Sequence, residues 1–184
     1  MGLTFIASAT ASSSATLSFT SGIDSTYNEY QFYFVNMHPA SEDGENRVFM
    51  FQVNASDDTG GGFDTSVITS TYFDAYQNEA GSSTSLGYRT AQDQAQGTAY
   101  QPLMYGAGAD NDQSCSGVLT LYAPASTTYV KHFTAVVNGT YLSDYSMNAR
   151  IAGYINQPLA IPEISFKFNG SNIDAGTIYM YGVS

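Results

Sequence analysis

The stretch from Pro162 to Ser184 limits the possible folds more than any other part of the chain. Ile164, Phe166 and Phe168 alternate with Ser165, Lys167 and Asn169. A period of two puts every second side chain on the same face, as a half-buried strand requires. Asn169-Gly170-Ser171-Asn172 follows, made of residues that tolerate positive φ or bond back to their own backbone. Thr177 to Tyr181 then supplies a second strand of β-branched and aromatic side chains.

The same alternation recurs upstream. Ala15 to Thr20 reads as a short strand in which Leu17 and Phe19 face away from Thr16, Ser18 and Thr20, and another short strand, Leu3 to Ala9, precedes it. Between Glu29 and Met37, Tyr30, Phe32 and Phe34 share one face while Gln31, Tyr33 and Val35 share the other. Arg47 to Val53 reads as the next strand, completing a hairpin-like pair across the acidic loop Glu42-Asp43-Gly44-Glu45. Gly117 to Tyr122, Tyr129 to Asn138 and Met147 to Ile155 continue the pattern. Asn138-Gly139 is a hairpin signal, and Gly153 marks a bulge or a close approach. Residues 56–114 lose the period. Val67 to Ala80 reads as a strand running into a helical turn, and helix is limited to a turn or two between residues 70 and 97. The expectation is one domain, 1–184. It is an all-β, jelly-roll-like antiparallel β-sandwich of about eight to ten strands, with a long, partly irregular excursion at 56–114.

Sixteen acidic against five basic residues leave a formal charge of −11. That field opposes binding to nucleic acid and to anionic membranes. The cations Arg47, Arg89, Lys131, Arg150 and Lys167 are spread singly, so no basic patch offsets it. Charged residues make up only 11 % of the chain, and the polar surface must be built from Ser, Thr, Asn, Gln and Tyr. Fifteen tyrosines and no tryptophan suit a surface that is apolar in body and polar at the tip, which points to subunit contacts and a homo-oligomer; a trimer is the first choice only by analogy with other jelly rolls. One cysteine, Cys115, excludes an intrachain disulfide. No apolar run of about eighteen residues exists to cross a membrane as a helix. Ala7-Ser8-Ala9 looks like a signal-peptidase site, but no positive segment precedes it, and Leu3 to Ala9 is read as the first strand. Ile6 stands where a myristoylation signal needs Ser or Thr.

No motif carries chemistry. Asp110-Asn111-Asp112 has neither the glycine nor the glutamate of a calcium loop, and Gly106-Ala107-Gly108 lacks the strand and helix of a dinucleotide fingerprint. The acidic loops at Glu42, Asp43 and Glu45 and at Asp57 and Asp58 read as solvated, with a cation held between subunits as the other reading. Cys115 with His132 would make a nucleophile and base; the plainer reading is a small core residue and a mid-strand histidine. No pair of carboxylates stands out as glycosidase-like. The sequons at Asn54, Asn138 and Asn169 are read structurally, the last two as Asn-Gly turns. The expected site list is therefore empty: no catalytic residue, no cofactor, no metal.

Leu17 to Tyr27 (LSFTSGIDSTY) and Phe34 to Pro39 (FVNMHP) resemble the opening of small β-sandwich virion proteins from tailed bacteriophages of aquatic hosts, marine or cyanobacterial. Ser126 to Phe133 (STTYVKHF) and Asn172 to Val183 (NIDAGTIYMYGV) are similar to later landmarks of that group. The resemblance implies a non-enzymatic structural protein located in the virion, its partners the major capsid or tail proteins. Capsid decoration is the first reading. A tail fibre or other appendage that binds host surface glycans is the second, and a secreted polysaccharide-active enzyme the third. The strand pattern starts close to Met1 and runs to Ser184, so attachment is expected through the sandwich itself, and lean towards the capsid follows.

Overall fold

The computed structural model describes residues 2–44, 46–56, 63 and 66–184. Among them the chain forms twelve strands and no helix. In order these are β1 (Leu3–Thr10), β2 (Leu17–Phe19), β3 (Glu29–Pro39), β4 (Phe49–Asn54), β5 (Ile68–Asn78) and β6 (Thr84–Tyr88). Then come β7 (Gln101–Met104), β8 (Cys115–Tyr122), β9 (Lys131–Tyr141), β10 (Tyr145–Ile155), β11 (Glu163–Phe168) and β12 (Ile173–Val183). Eight of them make one antiparallel sheet, ordered β1-β12-β3-β8-β9-β10-β5-β6, and four make a second, ordered β2-β11-β4-β7. The all-β antiparallel sandwich expected from the alternation is the fold the chain adopts.

The aromatic rows read from the sequence form the core between the sheets. Tyr30, Phe32 and Phe34 of β3 are buried, the two phenylalanines against β11 and β4. Phe34 meets Phe49 at 5.3 Å between ring centroids, Phe32 meets Phe166 at 5.8 Å, and Phe51 meets Phe133 at 5.1 Å. Each such ring stabilises the fold by about 1.5–3 kcal/mol through burial, with about 0.5–1.5 kcal/mol more where it meets another edge-to-face.

This packing corrects the pairing expected for residues 29–37 and 47–53. β3 and β4 are not a hairpin but lie in opposite sheets. Both carry a bulky apolar row, and those rows cover each other across the core instead of lying side by side. The terminal strands are likewise divided: β11 pairs with β2 and β4, while β12 lies between β1 and β3. Gly170, at φ +63°, makes the turn between them.

Asn138-Gly139 is not a turn. Both residues lie inside β9, and the chain reverses at Leu142-Ser143-Asp144, with positive φ at Ser143 and Asp144. A Cβ on Gly139 would stand 2.5 Å from the Met104 sulfur and 2.6 Å from Cys115 Cβ, so glycine is needed for close packing. Gly153 is a close approach of the same kind, 2.5 Å from the Thr69 carbonyl.

The strands outnumber the eight to ten expected because β6 and β7 join β5 within the 56–114 excursion. The helical turn expected near Ala80 is absent, as β5 runs extended to Asn78. Its inward row is Ile68, Ser70, Tyr72 and Asp74, all buried, and the two polar members hide the period. Ser70 is satisfied by donating to Gln101 Oε1 at 2.6 Å.

Candidate functional site

The side chains that β3 and β8–β10 turn away from the core lie on the outer face of the large sheet. Register sets them in rows. One row crosses the sheet from Ser8 through Tyr179, Tyr33 and Val118, and continues through Val136, Arg150, Phe73 and Tyr88. Phe5, Tyr181 and Tyr33 stack edge-to-face at 5.7 and 5.6 Å, extending an aromatic strip over β1, β12 and β3. Among the described residues, eight of the nine large exposed apolar side chains belong to this face; Tyr129, in the loop before β9, is the ninth. Its charges are few. Glu29 accepts from Gln31, which accepts from the Tyr33 hydroxyl, and Arg150 has no carboxylate partner among the described residues. The other four cations are structural: Arg47 and Lys131 are buried, Arg89 is paired, and Lys167 lies 3.9 Å above the Tyr100 ring.

Towards the β9–β10 turn the same face becomes polar. Ser116, Asn138, Asn148, Ala75 and Leu86 form one row across five strands, and Thr140, Ser146, Gln77 and Thr84 form the next. Asn138 Nδ2 donates to the Met147 carbonyl at 2.9 Å, and Asn148 Nδ2 to the Val137 carbonyl at 3.4 Å. Each amide thus spends one of its two N–H donors on the neighbouring strand. These rows floor an open trough of about 1080 Å³, with Glu79 and Asp144 among its lining.

Tyr76 and Tyr145 belong to the trough and also to a smaller pocket of about 300 Å³ behind it. Tyr105, Tyr141 and Arg89 line that pocket too. The rings meet edge-to-face, Tyr76 on Tyr145 at 5.6 Å, Tyr145 on Tyr141 at 5.9 Å and Tyr141 on Tyr105 at 5.6 Å. The Arg89 guanidinium sits 5.6 and 5.7 Å from the Tyr76 and Tyr105 ring centres. It donates to both oxygens of the fully buried Asp74, at 2.9–3.1 Å. Its acidity is weakened further by that carboxylate, which is the largest cause. The sequence reading missed both the pair and the trough. The available signal was an aspartate at an inward position of β5 in a chain with only five cations.

The residues considered from sequence are not brought together. Cys115 is buried, in register with Gly139, whereas His132 is exposed seven residues further back along β9, on the order of 23 Å at strand rise. Burial pushes the Cys115 thiol up to about 12, so it is no nucleophile at neutral pH. The Glu42 and Asp110 loops do touch: the Ala109 amide donates to Glu42 Oε1 at 3.2 Å, and His38 bonds the Asp110 carbonyl at 3.2 Å. Among the described residues no three His, Cys, Asp or Glu gather as metal ligands. Glu45, Asp57 and Asp58 lie outside the described residues. Asn54 is buried and donates to Glu163 at 3.0 Å, while Asn138 and Asn169 are exposed.

The buried acids make alkaline stability a direct check on this placement. Cys115 and Tyr72 are both held neutral by burial, their proton affinities raised in the fold. Unfolded chain therefore loses protons first, from near pH 9 for the thiol. Their contribution is whole below that pH and drains as pH rises. Lys131 acts oppositely: desolvation lowers its pKa from 10.5, so stability recovers as pH approaches that value and gains nothing beyond it. Unfolding midpoints should hold to pH 9 and fall steeply above 10.5. Cys115→Ala should remove about 1.4 kcal/mol per pH unit from the slope between pH 9 and 12. An unchanged slope in urea titrations across that range would place the thiol in solvent.

The chain matches no protein-family model, no curated protein and no solved structure.

Proposed function

We propose that the protein is a non-enzymatic structural protein of a tailed-phage virion, one that decorates the capsid and docks through the outer face of its eight-stranded sheet. The observation that carries this reading is the composition of that face. Among the described residues it presents most of the large exposed apolar side chains, and outside the trough Arg150 and Glu29 are nearly its only charges. Exposed apolar area of this breadth on a soluble domain is the mark of a protein contact. The likeness of the Leu17–Tyr27 and Asn172–Val183 segments to small virion proteins supplies the setting. A homo-oligomer, a trimer first, fits the same tyrosine-rich surface. Purified particles should carry the protein in a fixed high ratio to the major capsid protein, and washing at about 1 M salt should leave that ratio unchanged, because the contact is apolar. Labelling confined to the tail would move the protein to an appendage; release by salt would remove the sheet face as the contact.

A further inference from the structure

We infer that the trough beside the β9–β10 turn is a binding site for a neutral oligosaccharide. This stands apart from the capsid reading and rests on the side chains of the trough alone. Asn138 and Asn148 each donate one amide N–H to a carbonyl of the neighbouring strand, which holds the side chain in place and leaves its oxygen and second N–H for a ligand. Those two amides are directly opposite each other in register. In the next row Thr140, Ser146, Gln77 and Thr84 carry hydroxyl and amide groups that both donate and accept. Acceptors and hydroxyls repeated at the spacing of strands, about 4.8 Å, answer the hydroxyls of successive sugar units.

Charge selects among saccharides. No lysine or arginine lines the trough, Glu79 and Asp144 do, and the chain carries −11 in all. Sulfated, phosphorylated and sialylated chains would enter against that field. The trough opens at one end on Tyr76 and Tyr145, which it shares with the tyrosine pocket. Their rings turn to the inward side of the sheet, Tyr76 in register with the buried Met147 and beside Arg89, so contacts to a sugar come from the polar rows. A trough and pocket of these volumes lie at the scale of small-ligand sites. Peptide strands, by contrast, add to a sheet edge, and this site is on a face.

The test is calorimetric titration of the intact protein with maltoheptaose, cellohexaose and a mannan oligosaccharide, with sialyllactose and a heparin oligosaccharide as anionic probes. At least one neutral probe should saturate below about 10 mM. Asn148→Leu should weaken it about tenfold or more by removing an acceptor and leaving sugar hydroxyls unpaired. Ser146→Trp, which fills the trough with a bulky side chain at an exposed position, gives a second reading should Asn148→Leu fold poorly. Arg150→Ala, on the same face outside the trough, should leave affinity unchanged. Absence of saturation by any neutral probe, tighter binding of the anionic probes, or affinity indifferent to both trough substitutions overturns the inference. So does a change of sedimentation coefficient in the trough variants without loss of sugar binding, which would make the trough a contact between copies.

Discussion

Replacing Arg89 with methionine should destabilise the fold by about 3–5 kcal/mol, a large part of the stability of a domain of this size. The reason lies with Asp74, not with the arginine. Asp74 is on the inward face of β5, has no solvent exposure, and accepts three hydrogen bonds from one guanidinium. Methionine fills similar volume beside Tyr76 and Tyr105 but leaves a carboxylate with neither water nor counter-ion. Urea unfolding at pH 7 should show a lower midpoint with unchanged slope, since the same surface is exposed on unfolding. The double variant Asp74→Leu with Arg89→Met should recover most of the loss, because removing both charges abolishes the desolvation cost along with the attraction. If Arg89→Met shifts stability by less than about 1 kcal/mol, water reaches Asp74 and the pair is not an anchor. Particle attachment and sugar binding are read separately from this outcome.

The fold was legible wherever alternation joined large apolar residues to small polar ones. Phe32 and Phe34, Phe49 and Phe51, and Phe166 and Phe168 are inward as their spacing requires. Which strands pair was not legible, because period two fixes a face and says nothing about the neighbour. β3 and β4 illustrate this: adjacent in sequence, they meet face to face through Phe34 and Phe49. Asn138-Gly139 misled for a related reason. The dipeptide serves a turn elsewhere, but here glycine is required by Met104 and Cys115, and asparagine by the Met147 carbonyl. The full length of β5 was not legible, its last residues being read as a helical turn, because Ser70 and Asp74 occupy buried positions, each satisfied by a residue far along the chain, Gln101 and Arg89. The trough was invisible for the same cause. Its floor takes Ser116, Asn138, Asn148 and Gln77 from four strands, and only register makes them neighbours.

A single aspartate at Val118 should release the protein from its particles by about a hundredfold or more. Val118 lies near the middle of the outer face, between Tyr33 of β3 and Val136 of β9, two strands away from Arg150. In the isolated protein the new carboxylate is half in water, and the cost to the fold is limited to strand preference and lost packing, on the order of 1 kcal/mol. On the particle it would be covered by an apolar partner. Burying an unpaired charge costs several kcal/mol, and about 2.8 kcal/mol already gives a hundredfold in occupancy. The chain's existing −11 makes a compensating cation in the partner the sole escape, and the salt-insensitive contact expected for wild type argues against one. Thr16→Asp, next to β2 in the other sheet, adds the same charge away from the face and should bind as wild type does. Equal unfolding midpoints for the two variants separate docking from folding. Val118→Asp protein found on particles at wild-type ratio would mean that the face stays in water there, and attachment would then have to run through the sheet edges at β1 and β6, where backbone groups remain to be paired.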